Sequence, residues 1–276
     1  MDAILRQFAE PGMWNLWLNA GLVLLGAIYL IRTRLPQPGQ TEEAVSSRKK
    51  AALLLGLLLF YLAVGSPLSF IGHELFSVHM LQQSVLFLAV PPLVLSGLPA
   101  GWVRAVFRRR PVKQAVSFFT HPLVALLVFN GLFSFYHVPF IFDTLMGNRM
   151  LHVASHTVLT AAAFAMWWPV FCPLPEQDRL TPLRKMAYIC AAGVLLTPAC
   201  ALIIFADQLL FASYSGVQLI PLLDPLDDQQ LGGVVMKILQ EGIYGCVLGV
   251  IFFRWVRLVR ERETYGVPVE EEEEGV

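Results

Sequence analysis

The chain has 276 residues, of which 56% are hydrophobic and 14% charged, which leaves too little polar surface for a water-soluble fold of this size. Its twenty basic and twenty acidic residues cancel, so total charge points neither to nucleic acid nor to an acidic partner, and only the placement of charge informs.

A helix needs about 20 apolar residues to cross about 30 Å of hydrocarbon. Windows of roughly that size run in chain order over 14–31, 51–70, 78–98, 118–142, 150–172, 186–211 and 234–255. No small-residue cleavage site follows the first, which therefore reads as a retained helix. Together they predict an all-α, polytopic integral membrane protein: one bundle of seven transmembrane helices in a lipid bilayer, with residues 256–276 as a flexible acidic tail that includes Glu270 to Glu274.

Lys and Arg sort by side. Arg32, Arg34, Arg48, Lys49 and Lys50 follow the first window, Arg104, Arg108, Arg109, Arg110 and Lys113 the third, Arg179, Arg184 and Lys185 the fifth, and Arg254, Arg257, Arg260 and Arg262 the seventh. Cytoplasmic loops retain positive charge, so these connections face the cytoplasm, with the amino terminus outside and the carboxyl terminus inside. Cys172, Cys190, Cys200 and Cys246 lie in or beside apolar runs without CxxC spacing and read as packing residues.

On this topology five of the six histidines gather at the outer level. His73 lies between the second and third windows and His79 at the start of the third. His137 is near the outer end of the fourth, and His152 and His156 open the fifth, four residues apart and so on one helical face. Only His121, before Pro122, lies on the cytoplasmic side, where it reads as a helix-entry residue. Imidazole is the commonest side-chain ligand for Zn, Cu and Fe, and thioether sulfur suits Cu(I); Met80, Met146, Met150 and Met236 share the outer level. The histidines therefore indicate a shared metal site with copper, as Cu(I), favoured, drawn from His73, His79, His137, His152 and His156 with Met80 or Met236. Single histidines at such depth also serve structural hydrogen bonds, and a haem held by two of them, His79 and His156 first, is the alternative cofactor. Asp207 is the best candidate for a buried acidic partner. Asp228, in Asp227-Asp228-Gln229-Gln230-Leu231-Gly232-Gly233, reads as a helix cap, and the paired glycines permit close backbone approach. No nucleophile elbow, P-loop, HExxH or dinucleotide fingerprint occurs, and no enzymatic activity is indicated.

The residues resemble those of the CtaG family of bacteria, polytopic assembly factors for caa3-type cytochrome c oxidase. The carriers are Ser66-Pro67, His79-Met80-Leu81-Gln82, Val90-Pro91-Pro92-Leu93, Gly97-Leu98-Pro99, His121-Pro122, His137-Val138-Pro139, His152-x3-His156, Trp167-Trp168-Pro169 and Asp228 to Met236. Many relatives carry HMxQH where this chain has Gln83 in place of the second histidine, and Trp where it has Tyr136. The resemblance implies a multi-pass protein of the bacterial cell membrane that acts on cytochrome c oxidase subunits, through copper delivery or retention at the extracytoplasmic face or as a metal-free assembly scaffold.

Overall fold

The computed structural model describes residues 8–34, 45–216 and 223–264. Of the described residues 82% are helical, and no strand occurs among them. Helices α1 (Leu16–Arg34), α2 (Ser47–Gly65), α3 (Phe76–Gly97), α4 (Pro122–Tyr136), α5 (Arg149–Trp167), α6 (Pro182–Ile204) and α7 (Pro225–Thr264) fall on the seven apolar windows. Five of them, α1, α3, α5, α6 and α7, are long and apolar enough to cross a membrane; α4 makes a sixth if joined to the preceding helix Arg110–Phe119, from which it is bent by 69°.

Proline decides where the expected boundaries shift. The helix expected over 118–142 divides into Arg110–Phe119, α4 and Pro139–Met146. His121 and Val138, the residues before Pro122 and Pro139, have extended backbone, because the proline ring disfavours the helical conformation of its predecessor. Each proline then opens the next helix, where its missing N–H costs nothing. At the other end of the chain α7 runs for 40 residues, roughly 60 Å at 1.5 Å per residue, and takes in residues 256–264 of the expected tail. Residues 265–276, with the acidic run Glu270 to Glu274, lie outside the described residues.

Pro91 and Pro92 stay inside α3, which widens into a π-turn over Val85–Ala89 just before them. In α-helical register the Phe87 carbonyl would pair with residue 91, and in π register with residue 92; both are proline and neither has an N–H. The indole Nε1 of Trp167 on α5 donates to this carbonyl at 3.1 Å, so a neighbouring helix supplies the bond that α3 cannot make for itself. This α3 is the best-covered span, 67% buried against 11% for α1 and for α7.

Gly232 and Gly233 explain how α7 reaches α3 and α6 at once. A Cβ on Gly232 would lie 2.5 Å from the Phe76 ring and 3.1 Å from Met80 Cγ, while one on Gly233 would lie 2.8 Å from Ile204. Phe76, Met80, Phe142, Phe211 and Met236 form a buried apolar cluster at this junction. Gly232→Val forces α3 and α7 apart, and overpacking of this kind costs about 1–3 kcal/mol. The expected result is a melting temperature several degrees lower in detergent; an unchanged transition would show that the junction is not close-packed.

Candidate metal centre

The start of α3 is held from α7. Leu75 at its N-cap position has no side chain able to accept a bond, so the first N–H groups of the helix need an outside acceptor. Asp228, 152 residues away, provides it: one carboxylate oxygen accepts from Phe76 N at 2.6 Å, and the other accepts from Ser77 N at 3.3 Å and from the Ser77 hydroxyl. The expected cap is present, but it caps α3 and not α7. The adjacent Gln229 accepts from Leu210 N at 2.7 Å, Gln230 donates to the Ala206 carbonyl at 2.9 Å, and the Tyr214 hydroxyl donates to Gly72 O at 2.7 Å. Asp143 accepts from Ala212 N at 3.0 Å and Ser213 N at 2.9 Å. These bonds tie the 205–216 connection, α3 and α7 into one cap over this end of the bundle.

One turn below the cap, His79 on α3 meets His152 and His156 on α5. One ring nitrogen from each can be chosen so that all three lie within 4.8 Å of one another. A three-coordinate ion with bonds of ~2.0 Å holds its nitrogens ~3.5 Å apart, so small side-chain rotations suffice to close the site. His79 is buried, and His152 and His156 are half-buried. Gln83, one turn after His79, directs its amide nitrogen at His79 Nε2 (3.0 Å) and His156 Nε2 (3.4 Å). The Tyr136 hydroxyl reaches the same two atoms at 3.1 and 3.4 Å. An amide N–H only donates, so both Nε2 atoms accept, and their lone pairs point into one small space. His152 Nε2 is buried with no hydrogen-bond partner.

The remaining candidates take other places. His73 is exposed in the turn before α3, with its ring 5.0 Å from that of His152; burial of part of the ring lowers its pKa. The Nδ1 of His137 donates to Phe133 O at 2.8 Å, its Nε2 is buried without a partner, and it is not one of the three converging residues. Met80 packs on the α7 side of α3, against Gly232, and Met236 is fully buried in the same apolar cluster. Asp207, expected as a buried partner, is exposed in the connection after α6, because α6 ends at Ile204 and the chain there has already reached the surface. Gln83 joins the histidine group directly.

Sequence reasoning did not assign Tyr136 or Trp167 to this region. The available signal for Tyr136 was a phenol beside His137 in an otherwise apolar helix; for Trp167 it was an indole donor opposite two consecutive prolines, a pairing visible only once α3 and α5 are adjacent.

A family model described as cytochrome c oxidase caa3 assembly factor (Caa3_CtaG) matches residues 25–258. No curated protein and no solved structure matches the chain.

Removing the cap tests the frame. Asp228→Ala strips the acceptor from the start of α3, at a cost of about 1–2 kcal/mol. The expected outcome is faster amide hydrogen exchange at Phe76 and Ser77 and a lower melting temperature; unchanged exchange would mean that Asp228 does not hold the helix.

Proposed function

The chain belongs to the cytochrome c oxidase caa3 assembly factor family, and from that premise we propose that it serves oxidase assembly by holding one Cu(I) ion between His79, His152 and His156 at the extracytoplasmic end of its bundle. The ion is cargo, released to an oxidase subunit by ligand exchange. The observation that carries this reading is the convergence of three imidazoles from two helices, one of them with a ring nitrogen buried without a hydrogen-bond partner.

The chemistry of the donors favours a soft, singly charged ion. The converging group is all imidazole and contains no carboxylate, and Asp143 and Asp228 accept from backbone N–H groups instead. Without a counter-charge, burial of a divalent ion costs about four times that of a monovalent one, because the Born energy rises with the square of the charge. Imidazole is a good copper ligand, and a three-coordinate site lets an incoming ligand bind before another leaves. Haem accords less well with this geometry: Gln83 and Tyr136 stand between His79 and His156, and Phe87 and Phe142 pack against their rings.

The reading includes seven spans in the bacterial cell membrane, with the amino terminus outside. From Ala51 onward α2 is uncharged, and Arg48, Lys49 and Lys50 occupy only its first turn, a placement that suits an inner membrane surface. The basic connections lie together, since Arg179 donates to Ser117 at 2.8 Å and Arg104 pairs with Glu176 at 2.9 Å. The exposed apolar side chains of α1, including Trp17, Val23 and Leu24, suit a lipid surface.

Two measurements test these claims. Protein purified under reducing, copper-replete conditions should carry near-stoichiometric copper, lost in His152→Ala plus His156→Ala; a folded wild type without copper, together with a double variant that still supports oxidase assembly, would replace the copper reading with a metal-free scaffold. For topology, in a background with the four native cysteines replaced, Gln208→Cys should react with an impermeant maleimide in intact cells and Lys113→Cys only after permeabilisation. The reverse pattern would invert the orientation.

A further inference from the structure

The histidines are graded in exposure. His73 is exposed, His152 and His156 are half-buried, and His79 is buried. Along this order the rings are 5.0 Å apart from His73 to His152, 4.3 Å from His152 to His156 and 5.7 Å from His156 to His79. Each step is short enough for one ion to be shared by two neighbours, because two nitrogens on opposite sides of an ion with ~2 Å bonds lie ~4 Å apart.

The availability of lone pairs is graded in the opposite sense. His79 Nε2 and His156 Nε2 are each within hydrogen-bonding reach of the Gln83 amide and the Tyr136 hydroxyl. These groups carry three donor hydrogens for two lone pairs, so the inner nitrogens are occupied by the protein itself. His152 Nε2 has no such donor, and His73 is open to solvent. An ion that arrives from outside therefore meets free ligands only at the outer pair.

We propose that His73 and His152 form an outer capture site for Cu(I), from which the ion passes inward to His156 and His79 as it displaces the Gln83 amide and the Tyr136 hydroxyl. The proposal rests on the copper reading above and adds an order of loading and a placeholder. In the exchange the bond from His156 to the ion forms as the bond from His73 breaks, and a bond from His79 then completes the three-coordinate shell. Copper stays in the +1 state, and no proton is transferred, because the displaced hydrogens remain on Gln83 and Tyr136. Rotation of the Gln83 amide brings its Oε1, buried without a partner, to the Tyr136 hydroxyl, which then has an acceptor in place of the imidazoles. His152 belongs to both sites and hands the ion on without releasing it to water.

The test is the rate of loading against the final occupancy in full-length, detergent-purified protein. Cu(I) is presented as its bicinchoninate complex, and transfer is followed as loss of that complex's absorbance. His73→Ala should load on the order of tenfold more slowly than wild type yet reach the same final copper content, since only the association step loses a ligand. His73→Met should restore the rate, because thioether sulfur also binds Cu(I). Gln83→Ala should load faster than wild type. The melting temperature of each variant, compared with wild type, separates these effects from unfolding. Wild-type loading kinetics in His73→Ala would overturn the capture site, and so would a loss of final copper content as large as that in His156→Ala, which would make His73 a ligand of the inner site. A wild-type protein that takes no Cu(I) from the complex would instead overturn the copper reading itself, a result separate from either of those.

Discussion

A helix inside a membrane has no water to satisfy the backbone groups it leaves unpaired, and α3 leaves them at two places. Its first N–H groups lack a local cap, and the Phe87 carbonyl faces two prolines in succession. Asp228 of α7 supplies the acceptor at the first place and Trp167 of α5 the donor at the second. The two bonds bracket the turn that carries His79 and Gln83. They fix its depth and rotation against α5, where His152 and His156 wait one helical turn apart. The histidine cluster is thus a consequence of how α3 is pinned: with either bond gone, the helix that presents His79 has freedom to slide or turn.

Much of this was legible in the sequence. Apolar runs found every long helix, since the amount of hydrocarbon to be crossed sets a length that composition alone reveals. The spacing of His152 and His156 placed both on one face of α5 because helical periodicity demands it. The glycine pair at 232 and 233 signalled close approach, and Gly232 does admit Phe76 and Met80 to the backbone of α7. What composition could not resolve was the effect of individual prolines. Pro122 and Pro139 each open a new helix after a break, whereas Pro91, Pro92 and Pro198 are carried within helices; in α3 the difference depends on a tertiary donor that no local pattern reveals. The same limit explains Asp228, whose place at the start of α7 suggested a cap for its own helix, while its carboxylate serves a helix far away in sequence. It also explains Met80. Adjacent residues on a helix point about 100° apart, so a side chain next to His79 faces α7 while His79 itself faces α4 and α5.

The composition of the cluster matters as much as its shape. Acidic residues are plentiful at this end of the bundle; Asp143 and Asp228 are spent on holding backbone, and His79 and His156 meet the neutral groups Gln83 and Tyr136. Gln83 stands where an added histidine would give a fourth imidazole and a tighter grip. Its amide instead lies within hydrogen-bonding reach of His79 and His156, which on the proposed copper reading suits a protein that hands its ion on. Tyr136 acts with it, so that His79 and His156 are hydrogen-bonded before any ion arrives, and on the proposed copper reading the ion reaches them by exchange.

The central claim is that three imidazoles and no sulfur hold the ion. Copper K-edge X-ray absorption of the reduced, copper-loaded protein measures this directly. The account predicts Cu(I) in a shell of three nitrogen scatterers at ~2.0 Å, with the outer-shell scattering typical of imidazole. A sulfur scatterer at ~2.3 Å would bring Met80 or Met236 into the shell, and the arrangement in which both methionines pack in the apolar cluster would then not be the one that carries copper.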